Sequence, residues 1–438
     1  MIQEVEYKKR RDKLLSKLSK HSVGVVFSSV YKTRSNDTEY PFRQDSNFYY
    51  LSGFLEDKSC LVFFKKGKQV KTILFVAKKD KTQELWNGKR LGTDEAKGRF
   101  LVDEVYEYEE FNAKLKEYLV NKKALYYDFK LDYSKVKVLK RYSKEIQSFD
   151  NISSLVQNMR LIKSNAEIEL IKKAISITKD AHHKAMNIAS SLKYEYQLQA
   201  EIEYEFKRKG AYSDAYTSIV ACGNAANTLH YIDNNQKLKR DELILIDAGC
   251  EYKYYASDIT RTIPVNGVFT PPQKKLYNMI LKTQLKIIKM IKPGVKRSEL
   301  QIRAVKLLSK GMIDLGILNG SLKNVIKKEL YKKYYPHGIG HWMGIDVHDE
   351  APYKYKNGKE IPFKSGMVLT IEPGIYIDKN DKDVPKKYRG IGIRIEDDIL
   401  VTKNACKNLS KGIVKSIEEV ELLARNTDTA VAKVYSLL

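Results

Sequence analysis

Residues 243–265 read LILIDAGCEYKYYASDITRTIPV. The apolar run 243–246 has the length and composition of a buried strand, and it ends in Asp247-Ala-Gly. The segment 254–265 reads as its partner strand and carries Asp258. The same arrangement returns later: an apolar strand at 367–371 ends in Glu372-Pro-Gly, and 391–401 follows as a strand with Glu396 inside it. An apolar strand, an acid with small residues, a connection and a second acid-bearing strand thus occur twice. This suggests two halves related by a weak internal repeat.

The acids are out of place in such strands. An ionised carboxylate in an apolar interior costs several kcal/mol or more unless it is paired. Any one of them could be a strand-end acid that caps a helix or meets a lysine. The histidines turn the balance. The chain has seven, and His337, His341 and His348 fall within PHGIGHWMGIDVH (336–348), while alternation puts His230 near the strand leading to Asp247. The expected ligand set is Asp247, Asp258, His341, Glu372 and Glu396, an oxygen-rich, hard site that two divalent cations would neutralise. Such donors favour Mn²⁺ or a similar first-row ion over a thiolate-type zinc site. There is no HExxH and no GxxxxGK[ST], and Gly390-Ile-Gly392 is a lone GxG without a third glycine at dinucleotide spacing.

The chain is 438 residues long, enough for two or three domains. Short apolar runs at 23–27, 60–64, 72–77 and 124–128 alternate with polar helical stretches such as 14–18 and 111–119, the pattern of an α/β domain. A boundary is expected near 150–163, giving domains 1–158 and 159–438. Ser164-Asn-Ala-Glu167 is a capping box that opens a long helix. Its His182-His183 pair reads as solvated, since adjacent helical residues do not face one another. Residues 272–292 and 297–315 also look helical. Net charge is +25, mostly lysine spread along the chain, which reads as biased composition rather than a nucleic-acid face. No apolar stretch reaches the roughly 20 residues of a bilayer span. The N-terminal MIQEVEYKKRRDKLLSKL lacks the apolar core of a secretory signal, and Glu4 and Glu6 argue against a transit peptide. Cys60, Cys222, Cys250 and Cys406 are scattered, which points to a reducing, cytoplasmic location.

The blocks LHY (229–231), IDAGCEYKYYASDITRT (246–262), HGIGHWMGIDVHD (337–349), TIEPGIY (370–376) and RGIGIRIEDD (389–398) resemble the pita-bread metallopeptidases, and within them the proline-specific aminopeptidase P group. TRSNDTEYPFRQDSNFYYLSGF (33–54) is similar to the N-terminal domain of that group, which methionine aminopeptidases lack. The resemblance implies an α/β fold overall: an N-terminal α/β (RNase H-like) domain, then a C-terminal pita-bread α+β domain with an internal pseudo-two-fold repeat. It implies two divalent ions per subunit, usually manganese, with Asp247 on one, Asp258 and Glu396 on both, and His341 and Glu372 on the other. The implied activity releases the N-terminal residue of peptides whose second residue is proline, by attack of a hydroxide bridging the ions. Glu372 would shuttle the proton, His348 and His230 would donate to the substrate carbonyl, and Arg394 would steady the acids. Tyr216, His337 and Arg394 would line the proline pocket. Trp86, in ELWNGKRLG (84–92), would reach a neighbouring subunit's site in a homodimer or homotetramer. The rival readings are an Xaa-Pro dipeptidase (prolidase) and a non-catalytic pita-bread module that binds peptides or proteins. Neither a nucleic-acid nor a membrane partner is expected.

Overall fold

The computed structural model describes residues 2–424. The chain divides into two compact units, Met1–Arg160 and Leu161–Leu438.

The first unit is built on a six-stranded mixed sheet. Its strand order is Glu104–Glu107, Gln69–Val76, Cys60–Lys66, His21–Phe27, Ala124–Tyr127, Ser148–Asn151. The central strands are almost wholly buried because helices cover the sheet, as expected for continuous apolar runs. Val25, Val62, Ile73 and Phe75 pack there against Phe111 and Leu115 of the Phe111–Leu119 helix. The two edge strands, EVYE and SFDN, are polar and partly exposed, so no apolar run announces them.

The second unit opens with the helix Asn165–Ile188. The Ser164 hydroxyl accepts from the Glu167 N–H, and the Glu167 carboxylate accepts from the Ser164 N–H, so the capping box forms. Two helices, Asn165–Ile188 and Glu195–Arg208, precede the strand trio Ile219–Cys222, Leu243–Asp247 and Thr260–Pro264. Two more, Pro271–Ile288 and Arg297–Asp314, precede a second trio, Val368–Ile371, Asp397–Val401 and Cys406–Asn408. In the first trio Asp247 pairs with Thr260, and in the second Ile371 pairs with Asp397. In both halves one acid ends a strand and another lies just ahead of the antiparallel partner. The two halves share one large core that runs from Ala174 to Val420.

The structure departs from four sequence expectations. Residues 254–265 are not one strand, because Lys253 and Tyr254 both have positive φ and form the tight turn of a hairpin between Cys250–Tyr252 and Tyr255–Ala256. The segment 391–401 breaks as well: Ile391–Arg394 pairs with Gly374–Ile377, whereas Asp397–Val401 pairs with Val368–Ile371. Asp258 and Glu396 sit at these two breaks. The helix expected to reach residue 292 ends at Ile288, ahead of Pro293 and Gly294, the latter at φ +90. Finally, His182 is fully buried rather than solvated, and its Nε2 lies 2.9 Å from the Ala248 carbonyl. Burial pushes its pKa down to about 3, so it is a neutral donor beneath the first acid-bearing strand.

Arg261 joins the halves. It is fully buried, and its guanidinium donates to the carbonyls of Val414, Thr260, Glu396 and Ile413 and to the Asp397 carboxylate. Every N–H of the fork is used. Arg261→Met takes a donor from four buried carbonyls and from the Asp397 carboxylate, and should cost about 3–5 kcal/mol. A lowered urea midpoint is the readout, and a loss below about 1 kcal/mol would contradict this role.

Candidate metal centre

The second unit contains a cavity of about 410 Å³ lined by Asp247, Asp258, His341, Glu372, Glu396, His230, His337, His348 and Arg394, together with Arg297 and Tyr353. The strand breaks explain the positions of the acids. Where a chain leaves one sheet and joins another, its side chains turn inward between them. Glu396 occupies such a corner, and its N–H donates to the Thr260 carbonyl of the other half at 3.1 Å. Asp258 occupies the equivalent corner, its N–H 3.2 Å from the Asp398 carboxylate. His341 is held close to the strand of Glu372 by Thr370, whose N–H donates to the His341 carbonyl and whose hydroxyl accepts from the His341 N–H. That approach needs a glycine at 340, since a Cβ there would lie 1.9 Å from the Thr370 carbonyl oxygen.

The potential ligand atoms fall into three overlapping groups, each with its atoms within 4.8 Å of one another: Asp247, Asp258 and Glu396; His341, Glu372 and Glu396; and Asp258, His341 and His348. The first two contain all five residues expected from the sequence and share Glu396. The third adds His348, whose ring centroid is 4.1 Å from that of His341. The His341 Nδ1 lies 3.0 Å from the Trp342 carbonyl, which leaves Nε2 to face Asp258 at 3.3 Å and Glu372 at 3.7 Å. A backbone bond to one ring nitrogen fixes the tautomer that frees the other for a cation.

Charge is unbalanced in the protein by itself. Burial, Asp258 and Glu372 push the Glu396 carboxyl well above its usual range. Burial lifts Glu372 to about 7, although His341 and Arg394 pull it down. Asp247 is also raised by burial against the pull of Arg394. Burial opposes protonation of His341, but Asp258 and Glu372 outweigh it and hold the imidazole at about 9. These groups retain protons for lack of other positive charge. Four carboxylates, an imidazole with a free Nε2 and overlapping ligand groups fit a pair of hard or borderline divalent cations.

A hydrogen-bonded chain runs along one wall. The Tyr216 hydroxyl donates to Asp247 at 2.6 Å, and Arg394 donates to the other Asp247 oxygen at 2.7 Å. Arg394 also donates to the Tyr376 hydroxyl at 2.8 Å, and that hydroxyl is 2.8 Å from His337 Nε2. His337 Nδ1 lies 2.8 Å from the Gly338 carbonyl, and burial pushes its pKa down to about 4, so the ring is neutral and Nε2 accepts. Tyr216, His337 and Arg394, singled out from the sequence, are therefore linked. His230 and His348 lie on the cavity's exposed rim. Trp86 belongs to the first unit, on the helix Lys81–Asn87, and is 79% exposed.

Sequence reading missed several supporting residues. The Thr260 hydroxyl donates to Glu396 at 2.6 Å. Gln284 donates to the carbonyls of Ile371 and Ile395, each one residue ahead of a ligand-type glutamate. Tyr376 lies on Gly374–Ile377, a strand separate from the one that ends ahead of Glu372, so alternation from Glu372 does not reach it. Gln284 lies on a helix and carries no local signal.

Residues 169–403 match metallopeptidase family M24, and residues 7–126 match the N-terminal domain of aminopeptidase P. The chain is 40% identical to an Xaa-Pro aminopeptidase of Haemophilus influenzae, covering 95% of this chain and 96% of that one. It is 38% identical to the Xaa-Pro aminopeptidase of Escherichia coli, covering 96% and 98%. The zinc-substituted E. coli aminopeptidase P in complex with product superposes with a TM-score of 0.92 at 36% identity, over 97% of this chain and 99% of that one.

Cation binding must displace the protons held by Glu372, Glu396 and His341. The unfolded chain gives up its carboxyl protons near 4.5 and its imidazole proton near 6.5, whereas the folded metal-free cluster keeps them to about 7 and about 9. The cluster therefore destabilises the metal-free fold increasingly as pH rises through this window, and cations relieve that cost. The rise in Tm produced by saturating Mn²⁺ should grow from pH 5 to pH 8. A shift independent of pH would contradict the assignment.

Proposed function

The chain belongs to metallopeptidase family M24, and we propose that it is a metal-dependent Xaa-Pro aminopeptidase that releases the N-terminal residue of peptides with proline in second place. The observation that carries the reading is the pair of ligand groups sharing Glu396 inside one cleft. Aminopeptidase P-type sequence in both units supports it over a dipeptidase or a binding module.

In this reading Asp247, Asp258, His341, Glu372 and Glu396 would hold two divalent ions. Two divalent ions, most simply Mn²⁺, supply positive charge for the acids, a water acidic enough to attack at neutral pH, and polarisation of the substrate carbonyl. The residues do the rest. Asp247 and the acids near it attract the substrate's free α-ammonium, which makes the enzyme an exopeptidase. Glu372 takes a proton from the attacking water and passes it to the departing proline nitrogen. His348 and His230 donate to the substrate carbonyl oxygen as it gains charge. Arg394 and Tyr216 hold Asp247, and Arg394 with Tyr376 orients His337 against the proline ring. An X-Pro bond has no N–H. A pocket that offers an ordinary peptide N–H no partner rejects it by the cost of an unpaired group.

Exposed Leu85 and Trp86 support a homodimer or homotetramer in which Trp86 reaches a neighbouring site. Four free cysteines support a cytoplasmic setting. Among the described residues no helix is long and apolar enough to cross a membrane.

Hydrolysis of Xaa-Pro-Yaa peptides should vanish with chelator and return with Mn²⁺, Co²⁺ or Zn²⁺. An enzyme that cleaves Gly-Pro but spares longer peptides would be a prolidase instead. Asp258→Ala should abolish turnover and weaken metal binding in a folded protein, measured by metal analysis beside circular dichroism. His348→Ala should lose turnover on the order of 100-fold with metal retained. Metal loss there would make His348 a ligand.

A further inference from the structure

Arg297 begins the helix Arg297–Asp314 and lines the cleft beside the ligand-type residues. It is held firmly. Its Nε donates to the Gly340 carbonyl at 2.8 Å, one residue ahead of His341. Its guanidinium lies over the Tyr353 ring at 5.0 Å, and Tyr353 in turn stacks on Trp342 at 5.4 Å with planes 15° apart. Tyr353 also accepts the Trp342 N–H at 3.3 Å. The charge of Arg394 is engaged by Asp247, but among the described residues neither Nη of Arg297 has a hydrogen-bond or carboxylate partner. A Cβ built on Gly338 would lie 2.5 Å from Arg297 Nη2, so the fork rests on the backbone next to His337.

We propose that Arg297 is a specificity-determining residue whose Nη donors bind the carboxyl oxygen of the substrate's proline, a peptide carbonyl in Xaa-Pro-Yaa and a free carboxylate in Xaa-Pro. The inference rests on the functional reading above, in which the ring packs against His337. The group that follows the ring along the peptide is then the one that meets the wall at Gly338. A rigid fork with two unpartnered Nη groups is matched to an oxygen acceptor. Binding remote from the scissile bond in this way acts on affinity more than on the chemical step.

The test compares Arg297→Ala with the unaltered enzyme on two probes, both proteins being loaded with Mn²⁺. One is an Xaa-Pro-Yaa substrate. The other is the matching Xaa-pyrrolidide, which keeps the ring and lacks the carboxyl group, read as a competitive inhibitor so that its turnover is not required. Loss of a charge-assisted hydrogen bond should raise KM for Xaa-Pro-Yaa on the order of 30-fold while kcat changes less than about threefold. The inhibition constant of the pyrrolidide should move less than about threefold. Arg297→Lys should recover part of the KM, since it keeps charge and loses the fork. Equal effects on both probes would make Arg297 a support for the cleft wall, and no effect on either would remove it from the site; each overturns the inference. An unaltered enzyme inactive on Xaa-Pro-Yaa would instead refute the activity assignment.

Discussion

Mutual repulsion among carboxylates governs this site. At an effective dielectric of about 20, two like charges roughly 4 Å apart repel by about 4 kcal/mol. Four such groups gathered in overlapping groups exceed what one arginine can offset, and Arg394 is committed to Asp247. Glu372 and His341 answer by keeping protons to about 7 and about 9, and the Glu396 carboxyl is pushed well above its usual range by burial and its acidic neighbours. A metallopeptidase replaces those protons with cations, and the same closeness that is costly without them becomes a ligand cage.

Such a cluster would relax apart unless the backbone forbade it, and much of the second unit does so. Arg261 binds four carbonyls from both sides of the cleft, and Gln284 spans the strand ends that precede the two glutamates. Asp397, next to Glu396, belongs to this support. It is fully buried and accepts from Arg261, Lys415, Asn408 and Ser410, which keep it ionised below the usual carboxylate range despite burial. Neighbouring acids in the chain thus have opposite fates: Asp397 is saturated with fixed donors, whereas Glu396 is left with the Thr260 hydroxyl and open space.

Much of this could be read from the chain because the acids interrupt apolar strands, a local violation that only a compensating charge explains. The acid-bearing strands followed from the apolar runs LILI at 243–246 and VLTI at 368–371, whereas Ile219–Cys222 and Cys406–Asn408, the third members of the two trios, were not foreseen. What stayed hidden has physical reasons. The edge strands Glu104–Glu107 and Ser148–Asn151 need no apolar face. The break ahead of Asp258 comes from the left-handed turn at Lys253-Tyr254, which those residue types do not announce. The break at Glu396 comes from pairing of its two sides with different strands, Gly374–Ile377 and Val368–Ile371. His182 was misjudged because a helical position reveals its face only when the elements packed on it are known. Arg297 and Gln284 sit on helices whose periodic pattern describes packing and is silent about what a polar tip touches.

The separation of the donors along the chain has a consequence for biosynthesis. Asp247 and Asp258 come from the first half of the second unit, while His341, Glu372 and Glu396 come from the second. A growing polypeptide therefore carries no complete cage until translation has passed Glu396. Cofactor loading must come late, after both halves have closed on each other. Truncated or stalled products would leave the ribosome empty-handed, unable to act as stray proteases.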